Sequence, residues 1–182
     1  MKVLVVGSGG REHAICWKLA KSPLVEKIWC APGNAGISGC AERVDIKGED
    51  IKGLADFAEK NSVGLTVAGP EAPLCLGIVD EFKRRGLRIF GPDGAAARLE
   101  GSKTFAKDFM RRHNIPTAGA EAFTEAAKAV AHVRARFESG AKGVVIKADG
   151  LAAGKGVLVT EDRAEAVRFA ADCFEGAFGE AG

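Results

Sequence analysis

No stretch of the 182-residue sequence approaches the run of about 20 apolar residues that spans a bilayer. There is also no basic leader before a cleavable apolar segment, because Met1 passes straight into the strand-like run Lys2 to Val6. Charge of one sign is not in excess. The 26 basic and 24 acidic side chains leave a net charge of +2, too small a field to hold nucleic acid or a membrane surface by itself. The five cysteines, Cys16, Cys30, Cys40, Cys75 and Cys173, are odd in number and contain no CxxC pair. That pattern suggests neither a disulfide framework nor a zinc site, and reads as buried or half-buried free thiols in a reducing compartment. The expectation is a cytoplasmic protein that binds neither nucleic acid nor membrane. Repeats and low-complexity segments are missing too. What remains is a globular composition, 47% hydrophobic and 27% charged, long enough for one domain or two.

The first half alternates β-type runs with helical patterns. Val3 to Val6, Val25 to Cys30, Leu65 to Ala68 and Arg88 to Phe90 read as strands. Between them, Glu12 to Lys21 (with Ala14, Ile15 and Leu19 on one face), Ile51 to Lys60 and Leu74 to Arg85 read as helices. Strand–helix alternation with short connections predicts parallel strands joined by right-handed crossovers, hence a doubly wound α/β sheet over about the first 92 residues. Ser102 to Arg112 predicts a further helix with Phe105, Phe109 and Met110 inward, ended near Ile115-Pro116. A smaller α+β pattern follows: strand Ala120 to Phe123, helix Glu125 to Phe137, strands Val144 to Lys147 and Val157 to Thr160, and helix Arg163 to Phe174. Thr124 and Asp162 are the expected N-caps. Gly176 to Gly182 reads as a cut or a mobile loop.

The loop Gly7-Ser8-Gly9-Gly10 follows strand one and opens helix one. Two readings stand: its glycines let the helix pack closely on the sheet, or its amides meet an anion at a helix N-terminus. The position at a strand's carboxyl end favours a ligand. It is not a dinucleotide fingerprint, since Glu12 stands where the third glycine belongs and strand two runs into Ala31-Pro32-Gly33-Asn34 without an acidic residue. Arg11 and Glu12 suit an ordinary first-turn pair, and His13 a packing partner. A third loop, Gly69-Pro70-Glu71-Ala72-Pro73, leaves another strand at the same edge; its prolines would hold Glu71, either as a helix-dipole partner or as an amine-recognising carboxylate.

The run Lys147-Ala148-Asp149-Gly150-Leu151-Ala152-Ala153-Gly154-Lys155-Gly156-Val157 places a lysine at a strand end and another between glycines. Such a loop can fold over polyphosphate with backbone amides and an ammonium group, or serve as a plain hairpin connection with a solvated lysine. It is not a Walker A loop, being one spacer short with Gly156 in place of Ser or Thr. An inward Lys147 would need a partner to offset its desolvation, which favours the nucleotide reading.

GSGGREHA, APGNAG, GPEAPL, LEGSKTFAKDFM followed by IPTA, and VIKADGLAAGKGV resemble, in order and across the chain, the glycinamide ribonucleotide synthetase family of the ATP-grasp superfamily. The resemblance implies a pre-ATP-grasp, Rossmann-like N-domain over 1–100, a connecting helix and linker over 101–117, and the small α+β subdomain of an ATP-grasp fold over 118–182. It implies ATP with Mg2+ (or Mn2+), and the substrates glycine and 5-phosphoribosylamine. By that resemblance Lys103, Lys147, Gly150, Leu151, Ala152, Ala153, Gly154, Lys155, Gly156 and Val157 would contact the nucleotide, with Lys103 and Lys147 converging on its phosphates. Gly9, Gly10, Arg11, Glu12, Asn34 and Glu71 would lie near the phosphoribosylamine. Family members continue into an adenine-contacting strand, metal ligands and a C-terminal domain, so this chain is expected to be inactive without that C-terminal part. Another ATP-grasp ligase and a non-catalytic binding module are the competing readings.

Overall fold

A computed structural model of the chain describes residues 1–152, 154–179 and 181, which form two compact units, Met1–Arg98 and Leu99–Gly182. The first is built on five parallel strands: β1 (Lys2–Gly7), β2 (Lys27–Pro32), β3 (Glu42–Arg43), β4 (Leu65–Ala68) and β5 (Ile89–Phe90), in the order β3-β2-β1-β4-β5. α1 (Gly10–Leu19) and a 3-10 turn (Ala35–Gly39) cover one face; α2 (Ile51–Lys60) and α4 (Ile78–Arg84) cover the other. β1 is central and covered on both faces, so its side chains are continuously apolar. Val3 and Val5 pack with Cys16, Ile28 and Ile37, while Leu4 and Val6 pack with Leu54, Ala58, Ile78 and Phe82.

Several expectations are corrected here. The helix expected over Leu74 to Arg85 is two helices, α3 (Glu71–Cys75) and α4, because Gly77 takes a left-handed φ of 83° between them. The buried stripe of α1 is Glu12 and Cys16 with Ile15 and Leu19 half-buried; Ala14 faces solvent. Cys75 is exposed, while Cys16, Cys30 and Cys173 are buried. The two-residue strand β3 and α5 (Gly94–Gly101) were not legible in the sequence pattern.

The second unit contains α6 (Lys103–Arg112), α7 (Ala126–Glu138) and α8 (Arg163–Asp172), with β6 (Val144–Lys147) and β7 (Val157–Thr160) as an antiparallel pair. Val144 and Ile146 face a core made with Val133, Ala166 and Ala170, so α7 and α8 cover one side of the pair. Val145, Val157 and Val159 are exposed on the other. Phe105, Phe109 and Met110 of α6 are half-buried, not buried. The strand expected at Ala120 to Phe123 is irregular chain, with Ala120, Glu121 and Ala122 exposed; Ala-Glu-Ala-Phe has only one side chain of high β-propensity. Glu125, not Thr124, caps α7, and makes no side-chain cap bond, whereas the Asp162 carboxylate accepts from Glu165 N–H at 2.9 Å as expected of an N-cap. Phe178 and Ala181 form an isolated bridge, and Ala181 is buried against Ala148 and Cys173.

Candidate functional site

The strand order of the first unit reverses between β1 and β4, and in open α/β sheets ligands gather at the carboxyl ends of the strands at such a switch point. Glu12 lies between the loops that leave those two strands, against Gly7 and Gly69. Its side chain is 3% exposed; one carboxylate oxygen accepts the Gly9 N–H at 2.7 Å and the other the Arg11 Nε–H at 2.7 Å. A methyl group on Gly69 would stand 2.1 Å from Glu12 Oε1, and one on Gly7 2.7 Å from its Cγ. Both loops therefore carry glycine because a glutamate lies between them. Arg11 reaches on towards Glu71, with Nη1 at 3.5 Å from Oε1. The hydrogen bond to Glu12 leads the interactions that hold its guanidinium pKa above the ordinary arginine value.

Asn34 ties in the loop after β2. Its Nδ2 donates to the Ser8 carbonyl at 2.8 Å and its Oδ1 accepts from Ile37 N–H at 3.1 Å, capping the 3-10 turn. His13 packs against Gly36, where an added Cβ would stand 2.9 Å from the ring. Gly10 has open space over it, while the Gly9 amide is engaged by Glu12. The first unit thus brings Gly9, Arg11 and Glu71 around Glu12, with Asn34 bracing the neighbouring loop.

In the second unit, the Lys103 ammonium donates to the Gly150 carbonyl at 2.7 Å, just past the end of β6. Lys147 ends β6 opposite Val157 and is exposed on the face that α7 and α8 leave bare. The inward orientation expected of it is incorrect: with its side chain in solvent, no desolvation cost has to be offset. The loop returns through a bond from Ala148 N–H to the Gly156 carbonyl at 2.8 Å. Gly156 is buried, and a Cβ there would meet the Ala152 methyl at 2.7 Å. Leu151, Gly154, Lys155 and Val157 are exposed. Ala153 lies outside the described residues.

Sequence reasoning passed over Asp149. Its Oδ1 accepts the amides of Lys103 and Thr104 at 2.5 and 3.2 Å, and its Oδ2 accepts the Ser102 hydroxyl at 2.9 Å. Burial pushes the Asp149 carboxyl up, but the bonds from the Ser102 hydroxyl and from the Thr104, Gly150 and Lys103 amides outweigh it and hold the group below the usual aspartate value. The one available signal was an acidic residue inside a loop otherwise made of small side chains and lysine.

A family model described as phosphoribosylglycinamide synthetase, N domain, matches residues 1–100, and one described as the ATP-grasp (A) domain of the same synthetase matches residues 101–182. The chain belongs to the phosphoribosylglycinamide synthetase family. A relative named phosphoribosylamine–glycine ligase from Yersinia pestis is 55% identical over the whole of this chain, and one of that name from Escherichia coli is 56% identical. The chain spans 42% of the length of each. The crystal structure of a phosphoribosylamine–glycine ligase from Thermotoga maritima matches 98% of this chain and 40% of its own, with a TM-score of 0.71 and 31% identity. A carboxyaminoimidazole ribonucleotide synthase from Aspergillus clavatus, solved with ATP, shares the fold over 96% of this chain and 44% of its own, with a TM-score of 0.71 at 17% identity. Among the described residues, no group of three or more His, Cys, Asp or Glu could hold a metal ion, and no helix is long and apolar enough to cross a membrane.

Proposed function

We propose that this chain supplies the amine-substrate site and one part of the ATP grip of a cytoplasmic ligase that joins glycine to 5-phosphoribosylamine. The observation that carries the nucleotide half is the Lys103 ammonium at the Gly150 carbonyl, which gathers a cation and a loop of small residues within one unit. Those groups suit a triphosphate. An ammonium spreads the charge of a transferring phosphoryl group, exposed Lys147 and Lys155 add positive potential, and the glycines admit close approach of amides. The amine half rests on Glu12, Arg11 and Glu71, two carboxylates with a guanidinium among them at the sheet's switch point. The partly exposed Glu71 carboxylate would attract a primary amine while buried Glu12 holds Arg11 beside it, and Arg11 with the open surface over Gly10 would meet a sugar phosphate.

The reaction these groups would serve is phosphorylation of the glycine carboxylate by ATP. A carboxylate is a poor acyl donor until one oxygen becomes a phosphate leaving group; the ribosylamine nitrogen then attacks the acyl phosphate, releasing phosphate. Magnesium would neutralise phosphate charge, and the described residues offer no group of three or more His, Cys, Asp or Glu to hold it. The activity is that of a protein as long as its relatives. With glycine, phosphoribosylamine and Mg–ATP, such a protein is expected to yield one product of chromatographic mobility matching glycinamide ribonucleotide, and none with other amino acids; equal turnover of another acid would refute the assignment. Because this chain spans 42% of its relatives, a coupled ADP-release assay on the 182 residues alone is expected to show no turnover.

A further inference from the structure

The first turn of α6 presents amides with no partner inside the helix, and such a turn ordinarily invites an external anion. Here the place is taken. Asp149 Oδ1 receives Lys103 N–H and Thr104 N–H, and Ser102 Oγ receives Phe105 N–H at 3.1 Å while its hydroxyl donates to Asp149 Oδ2. The helix end is therefore closed by the chain's own carboxylate, brought from the residue before Gly150. One consequence is that a nucleotide phosphate has no free amides to bind at this helix and must be met by the Lys103 side chain.

We propose that Asp149 is a positioning residue that fixes Lys103 for the nucleotide, holding the lysine's own amide while its ammonium lies at the adjacent Gly150 carbonyl. This rests on the nucleotide reading given above. A lysine carries its charge on a flexible four-carbon stem and loses rotamer freedom when held. Here one residue pins the root of that stem, and its neighbour's carbonyl receives the tip. The ammonium is thereby stationed beside the loop before any phosphate arrives, and can exchange a neutral carbonyl for an anionic oxygen without a large search.

The test uses the 182-residue chain with Asp149→Ala and Asp149→Asn, each made also in a Lys103→Met background. Amide exchange at Lys103 and Thr104, followed by NMR, should accelerate in Asp149→Ala and be partly restored in Asp149→Asn, whose amide oxygen still accepts. Mg–ATP affinity, followed by titration, should weaken about tenfold in Asp149→Ala when Lys103 is present and less than about twofold in the Lys103→Met background, the pattern of two residues acting as one. Equal losses in both backgrounds would mean that Asp149 only stabilises the fold and would overturn the proposal, as would unchanged exchange at Lys103. Should Asp149→Ala not fold, the Asp149→Asn cycle is read in the same way at smaller amplitude. A wild-type chain unmoved by Mg–ATP overturns the nucleotide reading instead, and the positioning of Lys103 for nucleotide falls with it; exchange at Lys103 and Thr104 still reports whether Asp149 holds the helix end.

Discussion

Two buried polar side chains of the first unit lead to opposite expectations. Thr66, in β4, is 1% exposed, and its hydroxyl has no hydrogen-bond partner. Replacing it by valine removes an unsatisfied group while keeping the branched shape, so Thr66→Val is expected to raise stability by about 1 kcal/mol, read from the urea midpoint at unchanged m-value. Glu12 is also buried, but both of its oxygens are engaged and glycines surround it. A Gly69→Ala methyl has nowhere to go while Glu12 stands, and is expected to cost about 2 kcal/mol. In Glu12→Ala the same methyl should cost much less, so the double variant is expected to be more stable than the sum of the single losses. Simple additivity in that cycle would refute the contact. None of this was legible from the chain alone. The sequence marked Glu12 as an interruption of a dinucleotide pattern, but a side chain's occupancy of space between two distant loops depends on tertiary placement.

At the scale of elements, the helix caps respond to pH. Asp162 caps α8 through the Glu165 and Ala164 amides, which lower its pKa, and Asp149 is lowered as described for α6. A carboxyl depressed in the folded state adds stability that is present above its unfolded value, about 4, and lost as pH falls through the folded value. Melting temperature is therefore expected to fall on acidification below about pH 4, and Asp162→Asn, which retains an accepting cap without titrating, should flatten part of that fall. A variant that follows the wild-type curve would remove Asp162 from the account. Legibility at this scale followed signal strength. β1, α2, β4, β6 and β7 were readable because periodicity and bounding turn residues agreed. Leu74 to Arg85 misled, since apolar spacing continues across Gly77 although the backbone turns left-handed there. β3 was missed because a two-residue strand has no period, and its exposed Glu42 and Arg43 carry no apolar mark.

For the whole molecule, two separately packed units follow from four apolar clusters. Two involve the five-stranded sheet, and two lie within residues 99–182. Residues 113–122 leave the end of α6 as an exposed, irregular stretch. Backbone of that kind adapts readily to a protease, and glutamyl endopeptidase is expected to cut first after Glu121. Mass spectrometry of early digestion products would check this, and first cleavage at Glu59 within α2 would contradict it. The family was legible from ordered motifs, whereas the role of Asp149 required coordinates because its partners Ser102, Lys103 and Thr104 come from a distant segment.

The carboxylate beneath the first glycine loop also sets a boundary on redesign. An engineer wishing to seat a nicotinamide cofactor on this sheet would have to excavate before decorating, since the pyrophosphate would descend onto a buried negative charge. Shortening residue 12 to glycine would open the room, yet it would strip the Gly9 amide and the Arg11 guanidinium of the acceptor they share. The incoming cofactor would have to satisfy both at once, so conversion is a concerted change of several groups and not a single substitution.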